Sequence, residues 1–269
     1  RTVLKAGIIP DLCVSIDPKK LTKHFSDDRA NDVPMVCHIT SNREVLKSHR
    51  AEKFFINDLN HHIQHFFSQR DILFPVLSSG GSVANDALSV ARMMGYNRII
   101  MIGQDLAYTD NKTHSAASVR GEWNMDVSTF GNNTVTDDIY GNPILSSGEF
   151  TLYRTWIEEQ IAKYPELEVI DATEGGAMIH GSKIMTLHDA IETYCTKTYD
   201  FSDIIRHTER FMDEKTAAEF MDYMNDIPKE LSVCRQKAEE GVRSYDQMLK
   251  MIYSDKYRSA GFRKLFEKA

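Results

Sequence analysis

The fold of the chain is decided by the stretch from Asp71 to Tyr108, which reads DILFPVLSSGGSVANDALSVARMMGYNRIIMIGQDLAY. An apolar run at 72–77 leads into the small residues 78–82, after which apolar residues recur at helical spacing. A second apolar run at 99–102 shows no alternation, as expected of a strand covered on both faces. The stretch therefore predicts a strand–loop–helix–strand unit of about 30 residues, the size of a right-handed βαβ crossover.

The loop before this helix has the composition of an anion-binding loop. Ser82 suits the N-cap of the helix, and Gly95 suits its C-terminal end. Free N–H groups and the positive end of the helix dipole can hold a phosphate there, and glycine lets the backbone approach it closely. The alternative is that SSGG forms only a tight turn. The residues predicted to bind a nucleotide are Ser78, Ser79, Gly80, Gly81 and Ser82.

The same stretch carries a family resemblance. SSGGSVANDALSVARMMGYNRIIMIGQDLAYTDNKTHS, which begins at Ser78, resembles the central motif of the motility accessory factor family, and more distantly it is similar to bacterial CMP-sialyltransferases. Two further segments fit, GIIPDLCVSIDP (Gly7–Pro18) and EVIDATEGGAMIHG (Glu168–Gly181), so the resemblance covers roughly the first two thirds of the chain. It implies a glycosyltransferase that moves a nonulosonic (pseudaminic, legionaminic or sialic-like) acid from a CMP-sugar to Ser or Thr of flagellin, for flagellar assembly and motility. The CMP-sugar is then the donor substrate, and no cofactor or metal is needed.

Composition narrows the class of protein. The 269 residues are 42% hydrophobic and 26% charged, which is ordinary for a soluble globular chain. The net charge of −7 argues against a broad electrostatic grip on nucleic acid, and no run approaches the roughly 18 apolar residues of a membrane span. The four cysteines match no metal or redox spacing, which favours free thiols in a reducing cytoplasm. The chain begins at Arg1 and lacks the earlier strand and Gly-rich loop of the resembled families, so it is either a fragment of a longer protein or has lost part of the nucleotide site; we expect the fragment.

The order of patterns predicts an α/β fold, a Rossmann-like mostly parallel sheet with flanking helices, followed by an all-helical C-terminal region. The predicted domains are 1–197, for sugar-nucleotide binding, and 198–269. The predicted strands are 12–16, 35–39, 54–56 and 169–170, and the predicted helices begin at Asn42, Leu59, Phe150 and Thr186. Residues 107–148 are predicted to be irregular, as a lid or a substrate-binding insertion. The helices predicted in the tail are 201–212, 216–224, 228–253 and 255–268, either as a packing appendage or as a surface for a protein partner or a second subunit.

Several acidic and glycine residues follow predicted strands, at the edge where ligands of open α/β sheets gather. Asp17 follows the first strand, where the alternative is that it caps the next helix. Gly103 and Asp105 follow the strand at 99–102, where Asp105 either binds sugar hydroxyls or holds the long loop. The predicted binding residues after the last strand are Glu174, Gly175 and Gly176.

Residues for proton transfer and phosphate activation are less well defined. The sialyltransferases place two tyrosines after the central motif; here Tyr108 lies one residue late, and the second position falls near His114. The family's histidine base has no counterpart before residue 150. Its candidate replacements are His114, Asp137, Asp138 and Glu149, although Glu149 also suits the first turn of a helix. The predicted catalytic residues are Asp105, Tyr108, His114 and Glu149.

Two alternatives to a glycosyltransferase remain open. A related archaeal family with similar motifs transfers diphosphate to a pterin, which requires ATP and Mg²⁺ held by carboxylates such as Asp17 and Asp105. A non-catalytic binding module is the other alternative. His61 and His65 share a helix face, but a zinc site needs a third protein ligand and none is indicated nearby, so no metal site is predicted. The predicted partners are flagellin, a sugar nucleotide and a second copy of the chain through the C-terminal helices.

Overall fold

The structure of the protein is a computed structural model that describes residues 2–19, 22–56, 61–72, 76–109, 127, 131–209, 212–254 and 260–268. The chain divides into two units, Arg1–Thr208 and Glu209–Ala269. The strands of the first unit are β1 (Cys13–Ser15), β2 (Met35–His38), β3 (Lys53–Ile56), β4 (Arg98–Met101), β5 (Asn133–Asp137), β6 (Pro143–Ser147), β7 (Glu168–Asp171) and β8 (Lys183–Ile184). Its α-helices are α1 (Thr2–Lys5), α2 (Arg43–Ser48), α3 (His61–Ser68), α4 (Val83–Met93), α5 (Gly148–Lys163), α6 (Leu187–Tyr194) and α7 (Ser202–Arg206). The second unit contains α8 (Glu214–Tyr253) and α9 (Ala260–Lys268).

The N-terminal strands form a parallel sheet in the order β1-β2-β3. Its two faces bury different residues because side chains alternate along each strand. Met35 and Cys37 pack with Val45 of α2, whereas Val36 packs with Val90 of α4 on the opposite face. Burial raises the pKa of the Cys37 thiol to about 12, which suits an unreactive core cysteine.

The second parallel sheet has the order β4-β7-β8. Consecutive residues of β4 face two different hydrophobic clusters, Ile99 toward Ile157 and Val169, and Ile100 toward Ala190. Strand β4 is therefore covered on both faces, as predicted, but the prediction is wrong at its last residue, because Ile102 follows the strand and is 59% exposed. Helix α4 contributes Leu88 to the same cluster as Ile99, so α4 packs against residues of both sheets.

Helix ends follow local capping chemistry. Ser82 Oγ accepts the N–H of Asn85 at the start of α4, and Gly95 adopts a left-handed φ of 91° just after its end, as predicted. The hydroxyls of Ser147 and Thr186 cap α5 and α6 in the same way. These caps are encoded within four residues of the position they serve.

The prediction that residues 107–148 are irregular throughout is wrong for its last part. Strands β5 and β6 pair antiparallel in this segment, where Thr134, Val135 and Thr136 favour an extended backbone. The Asp138 carboxylate accepts the N–H groups of Tyr140 and Asn142, which fixes the turn between the strands. Residues 110–126 and 128–130, which include His114, lie outside the described residues.

The helical tail also differs from the prediction. Helix α8 is continuous from Glu214 to Tyr253, with Pro228 inside it, so the predicted break before Pro228 is wrong. Proline removes one backbone hydrogen bond, but apolar residues keep the same helical spacing on both sides of it, and the helix continues. The predicted helix 201–212 is shorter than expected, since α7 ends at Arg206.

The predicted fold class is confirmed as α/β, with parallel three-stranded sheets, flanking helices and a long C-terminal helix. Among the described residues, no helix combines the length and the apolar character required to cross a membrane.

Candidate functional site

The loop at 78–82 is tied to the first turn of α4 by Asn85, whose side chain is fully buried. Its Nδ2 donates to the carbonyl of Gly80 at 3.0 Å and to the carbonyl of Tyr153 in α5 at 3.2 Å, while its Oδ1 accepts the Ser82 hydroxyl at 2.9 Å. One amide side chain thus satisfies three groups from two helices and a loop. Asn85 was missed by the sequence analysis, where a signal existed in the polar pair Asn85–Asp86 inside an otherwise amphipathic helix.

The glycines of this loop are required by packing against α5. A Cβ atom on Gly80 would lie 2.6 Å from Cγ of Trp156 and closer still to Trp156 Cδ2 and to the Asn85 amide nitrogen. Gly81 has a left-handed φ of 88°, and a Cβ atom there would lie 3.2 Å from Tyr153 Cε1. The Cα side of each glycine therefore faces the protein's own aromatic rings rather than open space.

The backbone N–H groups around this loop fall into two classes. Gly81 N–H donates to Ser79 Oγ at 3.3 Å, and Asn85 N–H donates to Ser82 Oγ at 3.2 Å. Within the described part of the chain, the N–H groups of Val83 and Ala84 have no hydrogen-bond acceptor. An anion can accept hydrogen bonds from these first-turn N–H groups, which lie at the positive end of the α4 dipole.

Two buried side chains meet below this helix start. Asp86 is fully buried in the first turn of α4, and its Oδ2 lies 3.4 Å from Nε2 of His38, which is 6% exposed at the carboxyl end of β2. Buried acidic groups are rare unless they are paired. This pair joins the end of the first sheet to the start of α4. No local sequence pattern indicates this pair, because the two residues are 48 positions apart, by the difference of their numbers.

A second group of polar residues follows β4 and β7. Asp171 is 2% exposed at the end of β7; its Oδ1 accepts the N–H of Thr173 at 3.0 Å, and its Oδ2 has no partner among the described residues. Burial raises the pKa of the Asp171 carboxyl above its ordinary value, and the negative charge of Asp105 raises it further. The predicted residue Asp105 therefore interacts electrostatically with Asp171, a residue that was not among the predicted site residues.

The loops that carry Asp105 and Glu174 approach each other closely. Gly176 has a φ of 79°, and a Cβ atom on it would lie 2.5 Å from Cα of Asp105. Ala177 N–H donates to the Asp105 carbonyl at 2.7 Å. Leu106 and Glu174 are two non-glycine residues with positive φ, 49° and 63°, and strain of this kind concentrates at functional sites.

The remaining predicted residues have these positions. Tyr108 is buried, with its ring 5.3 Å from that of Phe150. Glu149 is exposed in the first turn of α5. Burial raises the pKa of Tyr153, the residue that packs on Gly81, and the negative charge of Glu149 raises it further. Glu149 is therefore on the part of α5 that faces the loop at 78–82.

Two other predicted carboxylates make local contacts. Asp17 is exposed, and its Oδ1 accepts the N–H of Lys19 at 2.7 Å, as expected of a residue that caps a turn. The Glu174 carboxylate accepts the N–H of Leu187 at 2.8 Å at the start of α6. Gly103 and Gly175 have open space where a Cβ atom would lie. No cluster of three or more His, Cys, Asp or Glu side chains suited to a metal ion occurs among the residues that the structure describes.

Two comparisons find similar proteins. A family profile described as "6-hydroxymethylpterin diphosphokinase MptE-like" matches residues 1–111. The structure of MAf glycosyltransferase from Magnetospirillum magneticum AMB-1 matches with a TM-score of 0.54 and 14% sequence identity, over 84% of this chain and 31% of that one. At this identity the match shows a shared fold, and this chain spans about a third of the length of that protein. No curated protein sequence matches the chain.

Proposed function

We propose that this chain is a glycosyltransferase that moves a nonulosonic acid from a CMP-sugar to a Ser or Thr hydroxyl of flagellin. The observation that carries the proposal is the start of α4, beside a hydroxyl-rich loop, where the N–H groups of Val83 and Ala84 have no acceptor among the residues that the structure describes. The CMP phosphate accumulates negative charge as the sugar leaves, and fixed N–H donors stabilise such charge without a metal. The likeness of fold to a glycosyltransferase over 84% of the chain supports this proposal, and the diphosphokinase profile over residues 1–111 supports the alternative considered below.

Each bond that breaks or forms in the proposed transfer can be named, and the proposed base lies on the part of α5 that faces the loop at 78–82. The bond between the anomeric carbon and the phosphate oxygen breaks, CMP leaves with the electron pair, and the acceptor oxygen bonds to the anomeric carbon. The acceptor proton goes to a base, for which we propose Glu149, because its charge acts on Tyr153 beside Gly81. His114 remains a predicted alternative outside the described residues. Asp105, coupled to Asp171, is proposed to bind sugar hydroxyls.

The direct test of this site compares a charged and a neutral replacement at the N-cap. Asp, Asn and Ser are about equally good N-caps. Ser82→Asp also loses the hydroxyl that donates to Asn85 Oδ1, at about 1 kcal/mol, whereas Asn can donate through its amide. The CMP shift of each variant is therefore measured from its own melting temperature without CMP. The Asp variant places a carboxylate against the donors proposed to hold the phosphate, whereas the matched Asn variant does not. We expect CMP to raise the melting temperature of the native protein and of Ser82→Asn, without Mg²⁺, but not that of Ser82→Asp. If CMP raised the melting temperature of the two variants equally, the start of α4 would not be part of the CMP-binding site.

A second candidate function is a Mg²⁺-dependent diphosphokinase. The observation that favours it is the buried Asp171 beside the half-buried Asp105, because carboxylate oxygens are the ligands that Mg²⁺ prefers and Oδ2 of Asp171 has no partner among the described residues. Asp105 and Asp171 would hold the Mg²⁺, which would supply positive charge to stabilise the phosphates of ATP. Under this function ATP, not CMP, should stabilise the protein, only when Mg²⁺ is present, and Asp171→Asn should abolish the shift. The absence of a shift with CMP, UMP and ATP would instead support a non-catalytic module.

A further inference from the structure

The middle of helix α8 in the second unit is exposed in the part of the chain that the structure describes. Every residue from Pro228 to Glu239 is exposed, including Leu231 at 62%. A helix segment with an exposed apolar stripe in a chain of otherwise ordinary composition is typical of a docking surface. The whole helix is described, so its face can be assigned residue by residue.

The apolar stripe repeats with alternating spacings of three and four residues, the pattern of a coiled coil. The central residues of its seam are Met224, Ile227, Leu231, Cys234, Ala238 and Gly241. Leu231, Cys234 and Ala238 are exposed, and the others are half-buried. The first three of the six are large and the last three are small. Their order therefore distinguishes between the ways in which a second identical helix can pair with this one.

We propose that α8 pairs with α8 of a second copy of this chain in an antiparallel coiled coil, with its two-fold axis between residues 232 and 233. In this register Leu231 faces Cys234 of the second copy, Ile227 faces Ala238, and Met224 faces Gly241. Each of these three central layers joins a large residue to a small one, the combination that close packing favours, whereas the next layer outward joins Phe220 to Tyr245. A parallel pair in register would instead place Gly241, Ala238 and Cys234 against themselves and leave gaps.

Charge complementarity selects the same register. Glu230 and Lys237 flank the seam, and in the proposed pairing Glu230 of each copy faces Lys237 of the other, which gives two symmetric attractive contacts. An antiparallel pair shifted by one heptad in either direction places Glu230 against Glu230, or Lys237 against Lys237. The second copy is therefore the occupant that both the packing and the charges fit, and this inference does not depend on the proposed enzymatic function.

The first test compares two equally exposed positions on opposite sides of the helix. Leu231 lies in the seam, whereas Val233, which is 53% exposed, lies on the outer face. In sedimentation velocity of the full chain, we expect a dimer for the native protein and for Val233→Glu. Leu231→Glu buries two carboxylates in the interface and should raise the dimer Kd roughly 100-fold or more. A monomeric native protein, or equal effects of the two variants, would overturn the proposal.

Charge exchange tests the direction of pairing. Glu230→Lys alone should raise the Kd about 10-fold, and the double variant Glu230→Lys/Lys237→Glu should restore the native value. In a parallel dimer Glu230 faces Arg235 of the other copy, so the double variant would stay weak and the antiparallel register would be wrong.

Cross-linking provides an independent readout. With the exposed Cys195 replaced by serine in both partners, we mix the otherwise native chain with a Leu231→Cys/Cys234→Ser variant and oxidise. The antiparallel register brings residue 231 of one chain to Cys234 of the other, so only mixed disulfide dimers should form. Disulfide dimers of either chain with itself, without the mixed species, would refute the arrangement.

Discussion

Gly80 provides the sharpest test of the geometry around α4. A methyl group at Gly80 meets the Trp156 ring, 2.6 Å from Cγ, and the amide nitrogen of Asn85 closer still. Ordinary carbon contacts are about 3.5–4.0 Å, so each neighbour must move by roughly 1 Å. Overpacking of this kind costs about 1–3 kcal/mol, and displacement of the Asn85 amide weakens its bonds to the carbonyls of Gly80 and Tyr153, at about 1 kcal/mol each. We therefore expect Gly80→Ala to lower the free energy of unfolding by about 3 kcal/mol.

The assay is urea unfolding monitored by circular dichroism, with Gly148→Ala as the matched control. Gly148 has no positive φ and open space at its Cβ position, so alanine there should be neutral or slightly stabilising. In a double-mutant cycle, Trp156→Ala should remove most of the extra cost of Gly80→Ala, because it removes the ring that the methyl group meets. If Gly80→Ala lowered the free energy of unfolding by less than about 1 kcal/mol, or if the effects in the cycle were additive, packing would not require the glycine. Access for a ligand would then be the remaining reason for glycine in this loop.

Two further predictions concern the second group of polar residues. Asp171→Asn should make the protein more stable at pH 7. The folded-state pKa of the Asp171 carboxyl is raised, so the protein loses stability as pH rises above the unfolded value of 3.8. Asparagine keeps the oxygen that accepts Thr173 N–H and has no charge to bury. Unfolding curves from pH 3 to pH 7 should show the advantage of the variant growing with pH, and an advantage that shrinks with pH would contradict the raised pKa. Gly176→Ala should cost about 3 kcal/mol or more, because alanine adds left-handed strain to a clash with the Asp105 backbone, whereas Gly175→Ala, in open space, should cost less than about 1 kcal/mol. Equal effects of the two alanines in the same urea assay would contradict the close approach of the two loops.

Part of the candidate site was accessible from the sequence. The hydroxyl cap of α4 and the glycine after it were assigned correctly, because a cap acts on N–H groups two or three residues away. The predicted residues Asp105 and Glu174 also follow β4 and β7 as expected, since both strands are apolar runs that end in polar residues. The role of Gly80 was different from the expectation: the sequence suggested access for a ligand, and the structure shows Trp156 against it.

What the sequence alone determined is therefore the identity and order of the local elements, since periodicity and capping act over a few residues. The β5–β6 hairpin was not predicted because its strands are short and polar. The full length of α8 was not predicted because Pro228, taken in isolation, indicates the start of a helix. Only the tertiary structure could bring His38 to Asp86, Asp105 to Asp171, and Trp156 to Gly80. These residues are far apart in the chain, and their contacts depend on how the strands are ordered within each sheet and on which helix covers each face. No local pattern encodes that choice, because it follows from burying all the apolar faces at once.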